Sequence, residues 1–231
     1  MTGSLGLLRL LQIADSAFPT GGYALSHGLE GLHALDLVES TEDVTNFAVV
    51  HIAETLERLE LPLVRHAHQR AGESDIAGLQ ELDALTSAYK PVAAFRRASL
   101  NVGRRLLEAA SPLLAPDCAA TSYRTSTHTD ERSGHHAVAW GVVCQGIGVG
   151  MREAVLAYGA TSLSGYVAAA IRLGTIGQRA GQAIVAGLHD RLLVAVEASI
   201  SLDLDDLGGY SPAIDITGMR QSSLQGRLFT T

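Results

Sequence analysis

Several groups of residues in this chain have types and spacings that could do chemistry. Ala24-Leu25-Ser26-His27-Gly28 matches the outline of a nucleophile elbow, in which a strained strand-to-helix turn presents a serine. That turn needs a strand before it, and here a Pro-Gly loop precedes Ser26, so capping or backbone hydrogen bonding accounts better for the hydroxyl. Gly146-Ile147-Gly148-Val149-Gly150 fails the dinucleotide fingerprint, because Met151 or Glu153 stands where a third, correctly spaced glycine is needed. Close helix packing is the remaining account. Nine histidines suit nickel, zinc or iron by ligand type. Their spacing does not: on a helix His66 and His68 diverge by about 200°, and His135 and His136 by about 100°. Only Glu131 and His135 share a face, with Glu131 in the loop before the helix begins, so no intrinsic metal site is expected.

Two arginine pairs, Arg96-Arg97 and Arg104-Arg105, lie eight apart on one expected helix, their first members within about 80° of each other. They form either a solvated face or a bidentate grip on a carboxylate, for which Asp15 and Glu30 are the first acids to test. The 17 basic side chains include one lysine, Lys90, followed by Pro91. A phosphate-binding P-loop needs Gly-Lys-Ser/Thr, so this chain by itself is not a P-loop NTPase. A Schiff-base enzyme would have to rely on Lys90, whose neighbours Ala88, Tyr89 and Pro91 offer no further sign of one.

The elements that would position these residues read as helices. With 231 residues, 47% hydrophobic and 18% charged, the chain can bury a real core, and its Ala- and Leu-rich, aromatic-poor composition favours helix. A net charge of −7 and a pI near 5.7 argue against nucleic acid and anionic membranes. Cys118 and Cys144 form no CxxC pair, the N-terminus lacks a basic leader, and Ala137 to Met151 is too short and Gly-broken to span a bilayer. A cytoplasmic protein is expected.

Apolar spacing predicts a short helix over Leu5 to Ile13, then a loop through Phe18-Pro19-Thr20-Gly21-Gly22-Tyr23, with Ser26 capping a second helix through Leu35. A third starts near Thr41, with Glu42 and Asp43 in its first turn, and Pro62 should kink or interrupt it before Leu63 to Ala71. Further helices are predicted from Ile76 to Tyr89, and from Lys90-Pro91 to about Ala110. Ser111 to Arg132 reads as a connection with at most one short helix. From Gly134 to Leu202 the chain should be helical with breaks near Tyr158-Gly159 and Gly174, while Ala170, Gly177 and Gly181 allow close crossings. After Asp203 the composition turns polar, and the tail should not bury itself as a regular core helix. No period-two pattern or internal repeat is present. The fold class is all-α: one domain over 1–231, a multi-helix bundle with Gly/Ala-rich packing. Residues 1–25 supply an N-terminal helix and Gly-rich loop, and 203–231 a flexible tail that could order on a partner.

The run Leu10-Leu11-Gln12-Ile13-Ala14-Asp15-Ser16-Ala17-Phe18-Pro19-Thr20-Gly21-Gly22-Tyr23, with Ser26, Gly28, Leu29 and Glu30, resembles the opening signature of the urease accessory protein UreF family. Asp83-Ala84-Leu85, Arg96-Arg97-Ala98-Ser99, Gly103-Arg104, Gly134-His135, Gly141, Ala170-Ile171-Arg172-Leu173-Gly174 and Gly177-Gln178 resemble later motifs in order. Pro212-Ala213-Ile214-Asp215, Met219-Arg220 and Arg227-Leu228-Phe229 resemble its ending. The resemblance implies a non-catalytic helical dimer that binds UreD (UreH in some organisms). The pair would recruit the GTPase UreG to insert nickel into apo-urease, with nickel and GTP carried by the partners. It also implies that Arg227 recruits UreG while Arg220, Leu228 and Phe229 order the tail. On this expectation the tail folds back so that Arg227 meets Tyr23, a contact of about 1 kcal/mol, or it stays disordered in the isolated chain. Leu25 and Gln221-Ser222 replace histidines and a glutamate usual in the family, and Gln225-Gly226 a usual tyrosine, so a nickel hand-over by those histidines loses support. Two other classes remain: a helical metalloenzyme or hydrolase using His128, His135, Glu131 or Ser26, and a bare oligomerisation module.

Overall fold

Ser40 opens the longest helical run in the chain. Its hydroxyl accepts from the Asp43 amide at 3.1 Å and the Asp43 carboxylate accepts from the Ser40 amide at 2.9 Å, a reciprocal cap with acids in the first turn. The computed structural model describes residues 3–209, 211–220 and 228–230. In it the run comprises α3 (Thr41–Val50), a stretch of wide i→i+5 turns (His51–Glu60) and α4 (Leu61–Gly72). Pro62 therefore does not interrupt the helix. The wide turns precede it, Leu61 N–H bonding back to Leu56 O, and the Arg58 carbonyl that Pro62 cannot serve accepts instead from Gly208 N–H at 3.0 Å.

The helices before and after this run are α1 (Ser4–Ala14), α2 (Leu29–His33), α5 (Ile76–Tyr89), α6 (Ala93–Ala110), α7 (Ala119–Thr127), α8 (His136–Gly146), α9 (Met151–Arg172), α10 (Gln178–Gly187), α11 (His189–Ile200) and α12 (Pro212–Arg220). No strand occurs among the described residues, and the fold is all-α. α8 is the central element: every residue from Ala137 to Cys144 is buried, which requires apolar side chains on all its faces. α4, α6, α7 and α9 pack around it. At Gly141 α4 passes close by, and a Cβ there would lie 2.9 Å from the Ala67 methyl and 3.0 Å from the His68 amide.

Several boundaries differ from the sequence expectation. α9 runs unbroken through Tyr158-Gly159, because Gly159 is a packing residue whose added Cβ would meet Leu192 at 2.8 Å. The chain breaks instead at Ile147–Gly150, where Gly148 adopts φ +81°. Gly181 does make the close crossing, against Ile171, but Gly177 has no neighbour near its Cβ position and sits just before α10. α2 starts at Leu29 behind Gly28, not behind Ser26, and ends at His33. The tail contains α12, which buries Ile214, Thr217 and Gly218 against α2 and α6. α9 has the length and hydropathy of a membrane span, and half of its most apolar window is buried inside the bundle.

Candidate functional site

Two neighbouring features hold the residues of chemical interest. The first is a cavity of about 890 Å³ bordered by α1, the Gly-rich loop, the wide turns of His51–Glu60, the start of α6, and α9. Its lining includes an ion pair, Lys90 Nζ to Glu60 Oε1 at 2.6 Å, with side chains only 12% and 13% exposed. Tyr158 Oη donates to the other carboxylate oxygen at 3.1 Å and lies 3.4 Å from His136 Nδ1. Burial opposes the Glu60 charge, yet the Lys90 ammonium and its hydrogen bond hold the carboxyl down to about 2.

Beside this pair stand His27, His51 and Tyr166, with ring centroids 4.5 Å apart for His51 and Tyr166 and 4.8 Å for His27 and Tyr166. His51 Nε2 donates to His27 O at 3.1 Å, and His27 holds the uncommon φ of +54°. Burial pushes these imidazoles down, His27 to about 3 with the help of His51, and His51 and His136 to about 4. At neutral pH all three are uncharged, and none is poised near 7 as an acid or base.

Of the residues proposed for hydrolase chemistry, His135 is likewise spent on structure. His135 is fully buried, its Nδ1 and Nε2 within 3.0 Å of Ser99 Oγ and 2.8 Å of Ser87 Oγ, and burial followed by the Lys90 charge pushes it down to about 3. An imidazole that weakly basic does not take a serine proton at neutral pH. Ser26 is completely buried, His128 pairs with Glu108 at 3.2 Å, and Glu131 sits exposed in a turn. His66 and His68 contact the carbonyls of Leu202 and Val149. Among the described residues no three His, Cys, Asp or Glu side chains group as metal ligands.

The second feature lies at the cavity's edge, where the two chain ends meet. Gly21, with φ +79°, turns the loop into a short helical turn over Gly22–Ala24, and a side chain there would run into Arg105. Thr230 donates to Ala24 O through both its amide and its hydroxyl, each at 3.0 Å. Leu228 N–H donates to Glu30 Oε1 at 2.5 Å, which places the buried Glu30 under the tail. Arg172, in the last turn of α9, sets its guanidinium over two rings, 3.9 Å from the Tyr23 centroid and 4.3 Å from that of Phe229. It also donates to the carbonyls of Tyr23 and Leu25. Phe229 is buried, while Tyr23 and Leu228 are 60% and 61% exposed.

A sequence model of one protein family, UreF, matches residues 38–189, well over half of the chain. The chain belongs to the UreF family. It is 31% identical over 222 residues to the urease accessory protein UreF of Paenarthrobacter aurescens (strain TC1), covering 96% of each chain. It is 30% identical to the protein of the same name from Arthrobacter sp. (strain FB24), at the same coverage. The Methylobacterium radiotolerans urease accessory protein UreF is also 30% identical, over 98% of this chain and 97% of its own.

The UreF-like motif residues fall into distinct places. Tyr23 and Phe229 meet at Arg172 and Leu228 bonds Glu30, whereas Arg227, Gln221 and Ser222 lie outside the described residues. Arg220 is exposed at the end of α12. Asp15 accepts from Ala17 N–H at 2.7 Å to shape the loop, Pro19 is exposed within it, and Gly28 lies against Ile214 of α12. The arginine pairs do not grip Asp15. Arg96 bonds the Lys90 carbonyl at 2.5 Å and Arg104 the Ser133 carbonyl at 3.0 Å, so both fasten loops, and Arg97 is exposed. Gly177 precedes α10, and Gln178 borders the cavity. Sequence reasoning passed over Lys90, Glu60, His27, His51, His136, Tyr158 and Tyr166 as a group. The one signal available was that the only lysine of the chain precedes a proline.

Proposed function

We propose that this UreF-family chain is a non-catalytic scaffold and regulator of urease maturation. It binds UreD (UreH in some organisms), and that pair recruits the GTPase UreG for GTP-dependent nickel insertion into apo-urease. Nickel and GTP act through the partners, and the chain itself keeps no cofactor. It works in the cytoplasm as a homodimer, without nucleic acid or membrane. The observation that carries this reading is the meeting of both terminal motifs in one patch, where Tyr23 and Leu228 stay exposed around a buried Phe229. An outward apolar face on α1, formed by Leu5, Leu7, Leu8 and Leu11 at 50% to 65% exposure, adds to its support. So do the uncharged, structurally engaged histidines of the interior, which suit a binding protein better than a hydrolase.

Reconstitution tests it. Apo-urease is incubated with UreD, UreG, nickel, bicarbonate and GTP, with and without this chain, and urease activity is followed. The chain should be required, and UreG should be captured on UreD only when it is present. Full activation without it, or turnover and retained metal in the purified chain alone, would refute the reading. Arg227→Ala should abolish UreG capture in the same pull-down.

A further inference from the structure

We propose that the part of the cavity walled by His27, His51 and Tyr166 is a binding site for a small uncharged amide with an apolar body. Three polar side chains there have hydrogen-bonding groups with no partner among the described residues. His51 donates from Nε2 to His27 O at 3.1 Å, so its neutral ring leaves Nδ1 as a bare acceptor, and that atom is buried without a hydrogen bond. Neither ring nitrogen of His27 nor the hydroxyl of Tyr166 makes a hydrogen bond among the described residues, although both side chains border the cavity. His51 is 4% exposed and Tyr166 1%, and buried polar groups left without partners are few in a native fold. The backbone is also unusual at this place. His27 holds its uncommon φ of +54°, and His51 opens the ten-residue stretch of wide turns, a conformation that recurs at functional sites in much shorter form.

The three side chains define what would fit. His51 Nδ1 accepts from an N–H, while the Tyr166 hydroxyl can donate to a carbonyl, and an amide offers both on one planar group. The charged side chains that act on His27 and His51 are Glu60 and Lys90, which already pair with each other at 2.6 Å. A carboxylate or an ammonium bound here would lose its hydration without gaining a free counter-ion, so the site selects an uncharged molecule. Phe95, Val102 and Trp140 supply apolar wall, and a volume of about 890 Å³ lies within the usual span of ligand pockets. The site stands or falls independently of the partners proposed above.

Benzamide is the probe, titrated into the purified chain by calorimetry, with benzoate and benzylammonium as its charged counterparts. Benzamide should bind at one site, with both ions at least about tenfold weaker. Tyr166→Phe removes only the hydroxyl and should weaken benzamide about fivefold. Gly165→Leu gives a second reading. Gly165 borders the cavity on α9, within about 20° of Tyr158 around the helix, and a Cβ there meets nothing within 4 Å, so the larger side chain has room and should block binding. Thermal melting verifies that each variant is folded, and if one is not, the other decides. No saturable heat with benzamide up to about 10 mM, as expected of a chamber that holds only water, would overturn the proposal. So would ions that bind as well as the amide, or wild-type affinity in either folded variant.

Discussion

Lowering the pH from 7.5 to 5 should remove most of the stability of this fold. His27 and His135 are pushed down to about 3, and His51 and His136 to about 4, against roughly 6.5 in an unfolded chain. Between those values the unfolded chain binds more protons than the native one, so stability is fully present above about pH 6.5 and is lost as pH falls towards 4. At pH 5 each imidazole costs about 2 kcal/mol, hence about 8 kcal/mol for the four. Asp83 works the other way. Burial raises its carboxyl to about 6 against the hydrogen bonds from Tyr123, His135 and Gly134, which returns about 1 kcal/mol at pH 5. Glu60, held down to about 2, keeps its contribution until the pH drops below the ordinary carboxylate range. A net loss of about 7 kcal/mol is comparable with the whole stability of a typical domain. Urea unfolding followed by circular dichroism at several pH values measures it, and His51→Gln should shrink the loss by about 2 kcal/mol. A change of less than about 2 kcal/mol between pH 7.5 and 5 would mean that these rings titrate normally and that the interior is wetter than described.

Two further substitutions test the packing and the ion pair. Gly103→Ala would place a Cβ 2.8 Å from the His135 carbonyl carbon, against backbone that cannot swing aside, and should lower stability by about 2 kcal/mol in a thermal melt. Lys90→Met would leave the Glu60 carboxylate uncompensated and cost about 3 kcal/mol, and adding Glu60→Gln should recover a large part of it. A double variant no more stable than Lys90→Met would show that the two side chains are not coupled.

Elements bounded by local chemistry could be read from the sequence. α5 is fixed by Asp75, whose side chain accepts from Gly78 N–H at 2.9 Å, and by Pro91 just beyond its end. Gly174 likewise ends α9 where expected. Features decided by distant partners could not. Gly159 looks like a breaker until Leu192 is seen against it, and α12 looks like polar tail until Phe95 is seen against its Gly218 and Gly31 of α2 against its Thr217. The terminal patch was legible in part, since the loop and tail motifs were recognisable, but the cation against Tyr23 is Arg172, 149 positions away. The interior group was the least legible, because Glu60, Lys90, His136 and Tyr158 come from separate segments and no spacing rule joins them.

Trp140 is the one indole in the chain; it is 2% exposed, borders the cavity, and donates from Nε1 to the Ala154 carbonyl at 3.0 Å. His136 and Tyr158 lie within 6.1 Å and 5.8 Å of it, ring to ring. Its emission is thus a built-in optical gauge, sensitive to whatever enters that chamber or protonates its wall, and it can be read without a dye or tag.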